Sequence, residues 1–144
     1  MNKDTKKRST TLRQLEDTAR SLLYTNDSNR CRHFSFILYK NRLIATGMNC
    51  NKTHPLNLLN RKISKVTGED YSEYKHTCSE LNAILKLKRL TNIDTKKCTL
   101  VNIRFDRNDK VSLAKPCSSC DSLLQYHNFK QITWSTNNGD YISI

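Results

Sequence analysis

Two short stretches of sequence decide the fold: Cys78-Ser79-Glu80 and Pro116-Cys117-Ser118-Ser119-Cys120. Each lies where a loop or strand gives way to apolar residues at helical spacing, so each is predicted to begin a helix. Thiolates are stabilised at helix N-termini, where the backbone dipoles favour negative charge. The spacing therefore places three thiolates, Cys78, Cys117 and Cys120, at the start of two helices.

Three cysteines in this arrangement are typical of a catalytic zinc site. Zn²⁺ prefers tetrahedral coordination, and three protein ligands leave the fourth position for water, whereas structural sites are closed by a fourth protein ligand. Glu80 lies two residues after the first cysteine, where it can reach that water without binding the metal. Because zinc lowers the pKa of bound water towards neutrality, Glu80 is predicted to be the general acid/base.

The alternative to catalysis is a purely structural zinc site or a set of buried thiols. A fourth thiolate would favour that alternative, and Cys31, Cys50 and Cys98 are available. Cys98 falls in a predicted strand and the other two show no paired spacing, so these three are predicted to be small buried hydrophobes.

The periodicity of the remaining sequence predicts a mixed α/β domain. The predicted helices are about Thr10–Tyr24, Ser79–Leu90 and Ser118–His127, and the predicted strands are His33–Tyr39, Arg42–Met48, Cys98–Phe105, Val111–Ala114, Gln131–Ser135 and Tyr141–Ile144. Ser9 or Thr10 is the predicted cap of the first helix. The stretch from Asn49 to Lys75 has little periodicity and is predicted to be a long loop, with a short helical piece near Leu56 to Lys62.

Short connections fix the direction of two strand pairs. Lys40-Asn41 is predicted to be the turn of a tight hairpin, and Asn137-Asn138-Gly139-Asp140 connects the last two strands. A parallel pair needs a crossover of about a dozen residues or more. The last strand is therefore predicted to lie antiparallel to the strand before it.

Composition limits the class of protein. The 144 residues include only 3 Gly and 2 Pro and no low-complexity segment, so one domain spanning residues 1–144 is expected. Residues 1–11 are basic and polar, and no apolar run approaches the roughly 20 residues of a membrane span. We expect a soluble cytoplasmic protein with reduced cysteines. The net charge of +12 favours phosphate-bearing partners, but the basic residues are spread out and equally fit a solvated surface.

In their order and spacing, the two cysteine stretches resemble the zinc signature of the cytidine/deoxycytidylate deaminase superfamily, C-x-E or H-x-E followed by P-C-x-x-C. The stretch Ile44-Ala45-Thr46-Gly47-Met48-Asn49 is similar to the strand of that family that ends in a glycine and a substrate-binding asparagine. Ala114-Lys115-Pro116-Cys117 and Lys52-Thr53-His54-Pro55 resemble viral and phage members. The resemblance covers about residues 12–144. It implies a cytidine-deaminase-like three-layer α/β/α fold with a five-stranded mixed sheet.

The resemblance also implies a reaction. A cytosine base would be deaminated hydrolytically to uracil, with release of ammonia, in a free nucleoside or nucleotide such as cytidine, deoxycytidine or dCMP. The implied cofactor is Zn²⁺ on Cys78, Cys117 and Cys120, with Glu80 as the catalytic residue. The implied substrate contacts are Asn49, Ser79, Pro116, His54, His76 and Tyr74. Related deaminases often assemble into oligomers, so a homo-oligomer is expected.

Two alternatives stay open. A deaminase that edits a base in single-stranded DNA or RNA is favoured by the net charge of +12. An inactive zinc-stabilised binding module would keep the fold without the reaction. Several contact residues also have ordinary structural interpretations: Asn49 can cap a turn, His54 precedes a proline, His76 can line a loop, and Tyr71 and Tyr74 can form a lid or a rim.

The sequence departs from the family pattern after Asn49. Cys78 agrees with the nucleoside-type enzymes, as does the antiparallel last strand, whereas nucleotide and polynucleotide deaminases have histidine as first ligand. The asparagine–glutamate sugar-binding pair of the nucleoside enzymes is missing, because the chain continues Cys50-Asn51-Lys52-Thr53. Three thiolates would leave bound zinc with a net negative charge, and we hypothesise that Arg104 or Lys115 offsets it.

Overall fold

In a computed structural model, the protein is described over residues 3–23, 32–49, 78–116 and 118–144, with side chains at 12–23, 32–49, 78–116, 121 and 123–144. The described helices are α1 (Lys3–Ser21), α2 (Ser79–Leu90) and α3 (Ser118–Tyr126), and the described strands are β1 (Arg32–Tyr39), β2 (Arg42–Met48), β3 (Cys98–Phe105), β4 (Val111–Ser112), β5 (Gln131–Ser135) and β6 (Tyr141–Ser143). The helical piece predicted near Leu56 to Lys62 lies outside these ranges. None of the described helices combines the length and apolar character that a membrane span requires.

The strands form one mixed sheet in the order β2-β1-β3-β5-β6, and the short strand β4 pairs with the end of β3. β1 is antiparallel to both β2 and β3, β3 and β5 are parallel, and β6 is antiparallel to β5. The five-stranded mixed sheet and the direction of its last strand are thus confirmed, with β4 as a small addition. Lys40 and Asn41 have φ of 50° and 62°, as in a tight hairpin turn that follows the strand twist.

Alternating side chains of β1 and β3 build a separate core on each face of the sheet. One face packs against α1 through Leu15, Ala19, Phe34, Phe36, Leu38, Val101, Ile103 and Phe105. The other face packs against α2 and α3 through Ile37, Ala45, Leu81, Ala83, Ile84, Leu87, Cys98, Leu100, Ala114, Leu123, Leu124, Ile132 and Trp134. Helices on both faces give the three-layer α/β/α architecture that the sequence predicts.

Helix α1 begins earlier than predicted. It starts at Lys3 rather than near Thr10, so Ser9 and Thr10 lie inside the helix instead of capping it. Lysine and arginine are good helix formers, and the basic tract before Thr10 holds no proline or glycine that would stop the helix. The prediction of the cap was therefore wrong, while the helix itself is confirmed.

Strand β4 is shorter than predicted. It spans Val111–Ser112 rather than Val111–Ala114. The reason is that the Ala114 N–H donates to the Ser135 carbonyl at the end of β5, 2.9 Å away, and so leaves the ladder with β3. This bond brings the chain to the C-terminal end of β5 just before Pro116.

Candidate active site

The N-terminus of α2 is pressed against the end of β2. Cys78 is the N-cap residue, with extended backbone (φ −78°, ψ 158°), and Ser79 and Glu80 open the first turn. At Gly47 of β2, a Cβ would overlap the Ser79 carbonyl oxygen and the backbone nitrogen of Ala83, so only glycine allows this approach. This close helix–strand contact therefore fixes where Cys78 and Glu80 lie.

Asn49 lies beside this helix start and is held by β1. Its N–H donates to the His33 carbonyl at 3.2 Å, and its Oδ1 accepts from the His33 N–H at 3.0 Å. The residue before it, Met48, accepts a hydrogen bond from Asn82 Nδ2 of α2 at 2.9 Å. The asparagine side chain is therefore oriented by backbone on one side and lies next to the first turn of α2, where a substrate contact is predicted.

His33 faces the same side of the sheet as Glu80. Burial lowers the pKa of His33, the Glu80 carboxylate opposes that effect, and the nearby Arg104 guanidinium lowers the pKa further. The net shift is downward, so His33 is mainly uncharged at neutral pH. His33 and Arg104 are direct cross-strand partners in β1 and β3, which explains why their charges interact.

Glu80 is 5% exposed and ends a chain of buried polar contacts. The Ser79 hydroxyl donates to Glu80 Oε1 at 2.7 Å. The single proton of the Ser35 hydroxyl faces two acceptors, Ser79 Oγ at 2.7 Å and Asn102 Oδ1 at 2.6 Å. Asn102 Nδ2 reaches the Ala114 carbonyl at 3.5 Å. This series of polar contacts thus runs from Glu80, the acid/base candidate, to Ala114 in the segment just before the second cysteine stretch.

Both cysteine stretches begin at the same end of the sheet. Ala114 is tied to Asn102 near the end of β3 and to Ser135 at the end of β5. Helix α3 then starts at Ser118, with Cys120 in its first turn. Helices α2 and α3 share one apolar core on this face, and the meeting of the three thiols stays a prediction.

Of the three cysteines predicted to bind zinc, the structure describes the side chain of Cys78 alone. Cys78 is half-buried, its side chain makes no capping bond to the described helix α2, and it stands next to a buried carboxylate. Cys117 and the Cys120 side chain lie outside the described residues, which hold no group of three metal-binding side chains among themselves. Three thiolates at helix N-termini are a suitable donor set for Zn²⁺.

Of the other predicted substrate contacts, three lie outside the described residues and two lie within them. His54, His76 and Tyr74 lie outside the described residues. Pro116 is half-buried and follows Ala114 by two residues, and the Ser79 hydroxyl donates to Glu80. The structure therefore brings Cys78, Ser79, Glu80 and Asn49 to one end of the sheet, and places Ala114, just before Pro116, at the same end.

Cys98 is not near this edge. It is the first residue of β3 and is buried in the core, whereas Asn102 and Arg104 lie towards the other end of that strand. Burial, and to a smaller extent Asp94, raises the pKa of the Cys98 thiol. It behaves as the small buried hydrophobe that the sequence predicts.

Sequence reasoning missed three polar residues of the site: His33, Ser35 and Asn102. The available signal is their setting, since Ser35 stands between Phe34 and Phe36 in a strand that is otherwise apolar in its middle. Asn102 likewise lies within the buried run of β3. A polar residue within a buried strand needs a hydrogen-bonding partner, which marks it for attention.

Comparison with known proteins defines the class of the fold. The sequence matches no protein-family model and no curated protein sequence. The fold is that of the cytidine and deoxycytidylate deaminases. Cytidine deaminase from Burkholderia pseudomallei superposes with a TM-score of 0.59 and 12% sequence identity, covering 92% of this chain and 90% of that chain.

Two further structures are similar. The dCMP deaminase of the cyanophage S-TIM5, in apo form, has a TM-score of 0.53 and 13% identity, with coverage of 94% of this chain and 86% of that chain. Cytidine deaminase from Mycobacterium leprae has a TM-score of 0.52 and 18% identity, with coverage of 89% and 88%. The likeness extends over nearly the whole chain.

Proposed function

We propose that the protein is a zinc-dependent hydrolytic deaminase that converts a cytosine base to uracil in a free nucleoside or nucleotide and releases ammonia. The observation that carries the proposal is the buried Glu80 carboxylate at the N-terminus of α2, two residues after Cys78, within a cytidine-deaminase fold. A buried carboxylate at a helix start, beside a metal-binding thiol, is suited to move protons in a site shielded from water.

The proposed roles follow the chemistry of the ring. Zn²⁺, held by Cys78, Cys117 and Cys120, would supply the Lewis acidity that makes water a nucleophile near neutral pH. Glu80 takes one proton from the attacking water and gives it to ring N3 as the C4–O bond forms. Glu80 then passes the second proton to the exocyclic nitrogen, the C4–N bond breaks, and ammonia leaves.

Substrate contacts are proposed around this centre. Asn49 stands at the site edge with its Oδ1 bonded to the His33 backbone, which fixes the orientation of its amide. The Ser79 hydroxyl is already engaged with Glu80, so its proposed contact uses the backbone N–H of the first turn, where helix donors lack intrahelical partners. Pro116, His54, His76 and Tyr74 are proposed to complete the pocket.

Arg104 is proposed to offset the negative charge of a three-thiolate centre. It lies half-buried on the site face of β3, where its Nη1 donates to the Leu113 carbonyl at 3.3 Å. Lys115, the other candidate, is exposed and so more strongly screened by water. If Arg104 has this role, Arg104→Gln alters the pH–rate profile of the reaction, and an unchanged profile rejects it.

The test is an assay of the zinc-loaded protein beside Glu80→Gln. The matched control is Glu16→Gln on α1, which makes the same chemical change at a carboxylate that contacts Tyr141 instead. Cytidine, deoxycytidine, their monophosphates, and cytosine- or adenine-containing oligonucleotides are incubated and products identified by mass. Glu80→Gln is expected to lose about 10²- to 10⁴-fold in rate, while Glu16→Gln keeps the wild-type rate.

The substrate panel separates the alternatives. Conversion of a free substrate supports the proposal and identifies the sugar and phosphate. Conversion of the oligonucleotide alone, with a rate that falls steeply with salt, assigns the protein to the editing class instead. If zinc is bound and no substrate reacts, the result favours a binding module or a substrate outside the panel. Light scattering at the assay concentration tests the expected self-association, and a monomer rejects it.

A further inference from the structure

The polar contacts behind Glu80 form a continuous path through an otherwise apolar core. Ser35, Ser79 and Asn102 are all nearly inaccessible to solvent, at 0%, 1% and 2% exposed. They come from three different elements, β1, α2 and β3, and are surrounded by the apolar core under α2. Three polar side chains that converge in such a place need a reason, because apolar residues of similar size would pack there without desolvating polar groups.

The series of contacts begins in the centre of the sheet and ends at Glu80. Ser35 and Asn102 are direct cross-strand partners in the centre of the sheet, so their side chains are adjacent by register. Asn102 is further held by the Ala114 carbonyl at 3.5 Å. At the Glu80 end, Ser79 Oγ contacts Glu80 Oε1 at 2.7 Å. Residues of the sheet therefore hold one oxygen of the Glu80 carboxylate in place through the hydroxyl groups of Ser35 and Ser79.

A carboxylate on a flexible side chain needs such support to act as a proton carrier. Glu80 has three side-chain torsions, and a displacement of about 1 Å at a reacting group can cost about 100-fold in rate. A hydroxyl at 2.7 Å from Oε1 restrains the terminal torsion and leaves Oε2 for the reaction. The second hydroxyl, Ser35, restrains the first because it donates to Ser79 Oγ, whose own proton is donated to Glu80.

We propose that Ser79, Ser35 and Asn102 are positioning residues that act in series to hold the Glu80 carboxylate in its productive orientation. This inference rests on the proposed function of Glu80. It assigns the hydroxyl between Cys78 and Glu80 a role in catalysis without contact to the substrate, and it makes the polar centre of β1 and β3 part of the site.

The first test measures kcat and KM separately for Ser79→Ala, Ser35→Ala and the double variant. Supporting residues around reaction centres typically affect activity about 10- to 100-fold, and we expect a loss of that size in kcat for Ser79→Ala, with KM within about twofold. Ser35→Ala is expected to lose less. Since Ser35 acts through Ser79, the double variant should lose no more than Ser79→Ala alone.

The matched control removes a buried hydroxyl from the opposite face of the sheet. Thr133 of β5 is 5% exposed and its Oγ1 lies 2.7 Å from Ser143 Oγ, so Thr133→Val deletes a comparable contact without touching the path to Glu80. It should lower the melting temperature and leave kcat unchanged. A conservative variant, Ser35→Thr, keeps the hydroxyl and should recover kcat relative to Ser35→Ala.

Several results would overturn the inference. The first is a kcat of Ser79→Ala within about twofold of wild type. The second is a double variant in which the losses of the two single variants multiply. The third is a fall in activity that merely follows zinc content and melting temperature. A readout independent of catalysis is a high-resolution crystal structure of zinc-loaded Ser79→Ala. The Glu80 carboxylate should occupy more than one orientation there and a single one in wild type.

That second readout separates this inference from the proposed function. If wild type deaminates no substrate of the panel, the proposed function fails, yet the crystal structures still report whether Ser79 orients Glu80. If wild type is active and Glu80 keeps one orientation in Ser79→Ala, the deaminase proposal stands and the positioning path is rejected.

Discussion

The two faces of the central sheet differ although the same two strands build both. Facing α1, the fully buried side chains of β1 and β3 are all apolar, whereas Arg32 and Thr99 at the strand ends are only half-buried: the buried set is Phe34, Phe36, Leu38, Val101, Ile103 and Phe105. Facing α2, the same strands contribute Ile37, Cys98 and Leu100 at one end and His33, Ser35, Asn102 and Arg104 at the other. The fully buried polar residues of these two strands, Ser35 and Asn102, therefore lie on the α2 face, towards Glu80.

Alternate residues of β1 and β3 therefore have different roles, according to the face of the sheet on which they lie. The α1 face supplies apolar burial, whereas the α2 face exchanges part of its apolar packing for a set of hydrogen bonds around Glu80. Buried polar groups weaken a core unless each is satisfied. Substitutions on the two faces should therefore separate stability from activity.

The largest expected effect is on the apolar face. Phe36 is completely buried against α1, and Phe36→Ala should lower the free energy of unfolding by about 3–5 kcal/mol because it loses apolar contact and leaves a cavity. Denaturant unfolding measures this loss. At a temperature where the variant is folded, its activity per folded molecule should equal wild type, and a selective loss of kcat would break the proposed separation of the faces.

Gly47→Ala should lower both stability and activity. The added methyl group has no space between β2 and the first turn of α2, and overpacking of this kind costs about 1–3 kcal/mol. Because α2 carries Cys78 and Glu80, its displacement should lower kcat in addition to the melting temperature. A suitable control is Gly139→Ala, whose Cβ would meet nothing within 4 Å, although its φ of +79° makes a loss of stability alone expected.

Tyr141→Phe sharpens the description of the α1 face. The Tyr141 hydroxyl donates to Glu16 Oε1 of α1 at 3.0 Å, and burial together with Glu16 raises the pKa of this phenol. Removing one such bond should cost about 0.5–1.5 kcal/mol, measured by denaturant unfolding, with catalysis unchanged. Equal stability of the variant would show that α1 is held by its apolar contacts alone.

The smallest expected effect is on stability at acidic pH, and it concerns His127, a polar residue on the α2 side but away from the candidate site. His127 is 7% exposed after the end of α3, and burial, assisted by the Lys88 charge, lowers its pKa to about 4. Between its ordinary pKa of 6.5 and that value, the unfolded chain binds a proton that the folded protein does not, so stability falls as the pH falls.

His127→Gln should remove this part of the acid sensitivity. Melting temperatures of wild type and variant, measured from pH 7 to pH 5, should converge or cross in favour of the variant. Because His33 also has a lowered pKa and stays in both proteins, some acid destabilisation persists. Parallel pH profiles would show that His127 does not contribute.

The parts of the molecule that sequence reasoning recovered have local signals. Helix α2 begins at a cysteine before an apolar repeat, and β2, β3 and β5 end at turns, so all four were predicted with the bounds the structure gives. Helix α1 was misplaced at its start because nothing in the basic tract from Lys3 distinguishes helix from coil. Local composition decides such boundaries only where a capping or breaking residue is present.

The candidate site could be predicted only where its residues are close in sequence. Cys78 and Glu80 lie two residues apart in a recognisable pattern, and Asn49 directly follows the glycine-containing strand β2, so each could be named as a candidate from its neighbours. Ser35 and Asn102 could not, because their meeting depends on the register between β1 and β3, which no short stretch encodes. Their contact with Ser79 further requires the close approach of α2 at Gly47.

The pairing of β3 with β5 is the one parallel contact among the described strands, and the connection between them contains the second cysteine stretch. Hairpins such as β1–β2 close within a few residues, whereas a parallel pair must first bring distant segments together, which slows folding. The β1–β2 hairpin should therefore form first, whereas the pairs β1–β3 and β3–β5 both join distant segments. During biosynthesis, Ser35, Glu80 and Asn102 leave the ribosome before the second cysteine stretch, so under the proposed function the capture of zinc would come last.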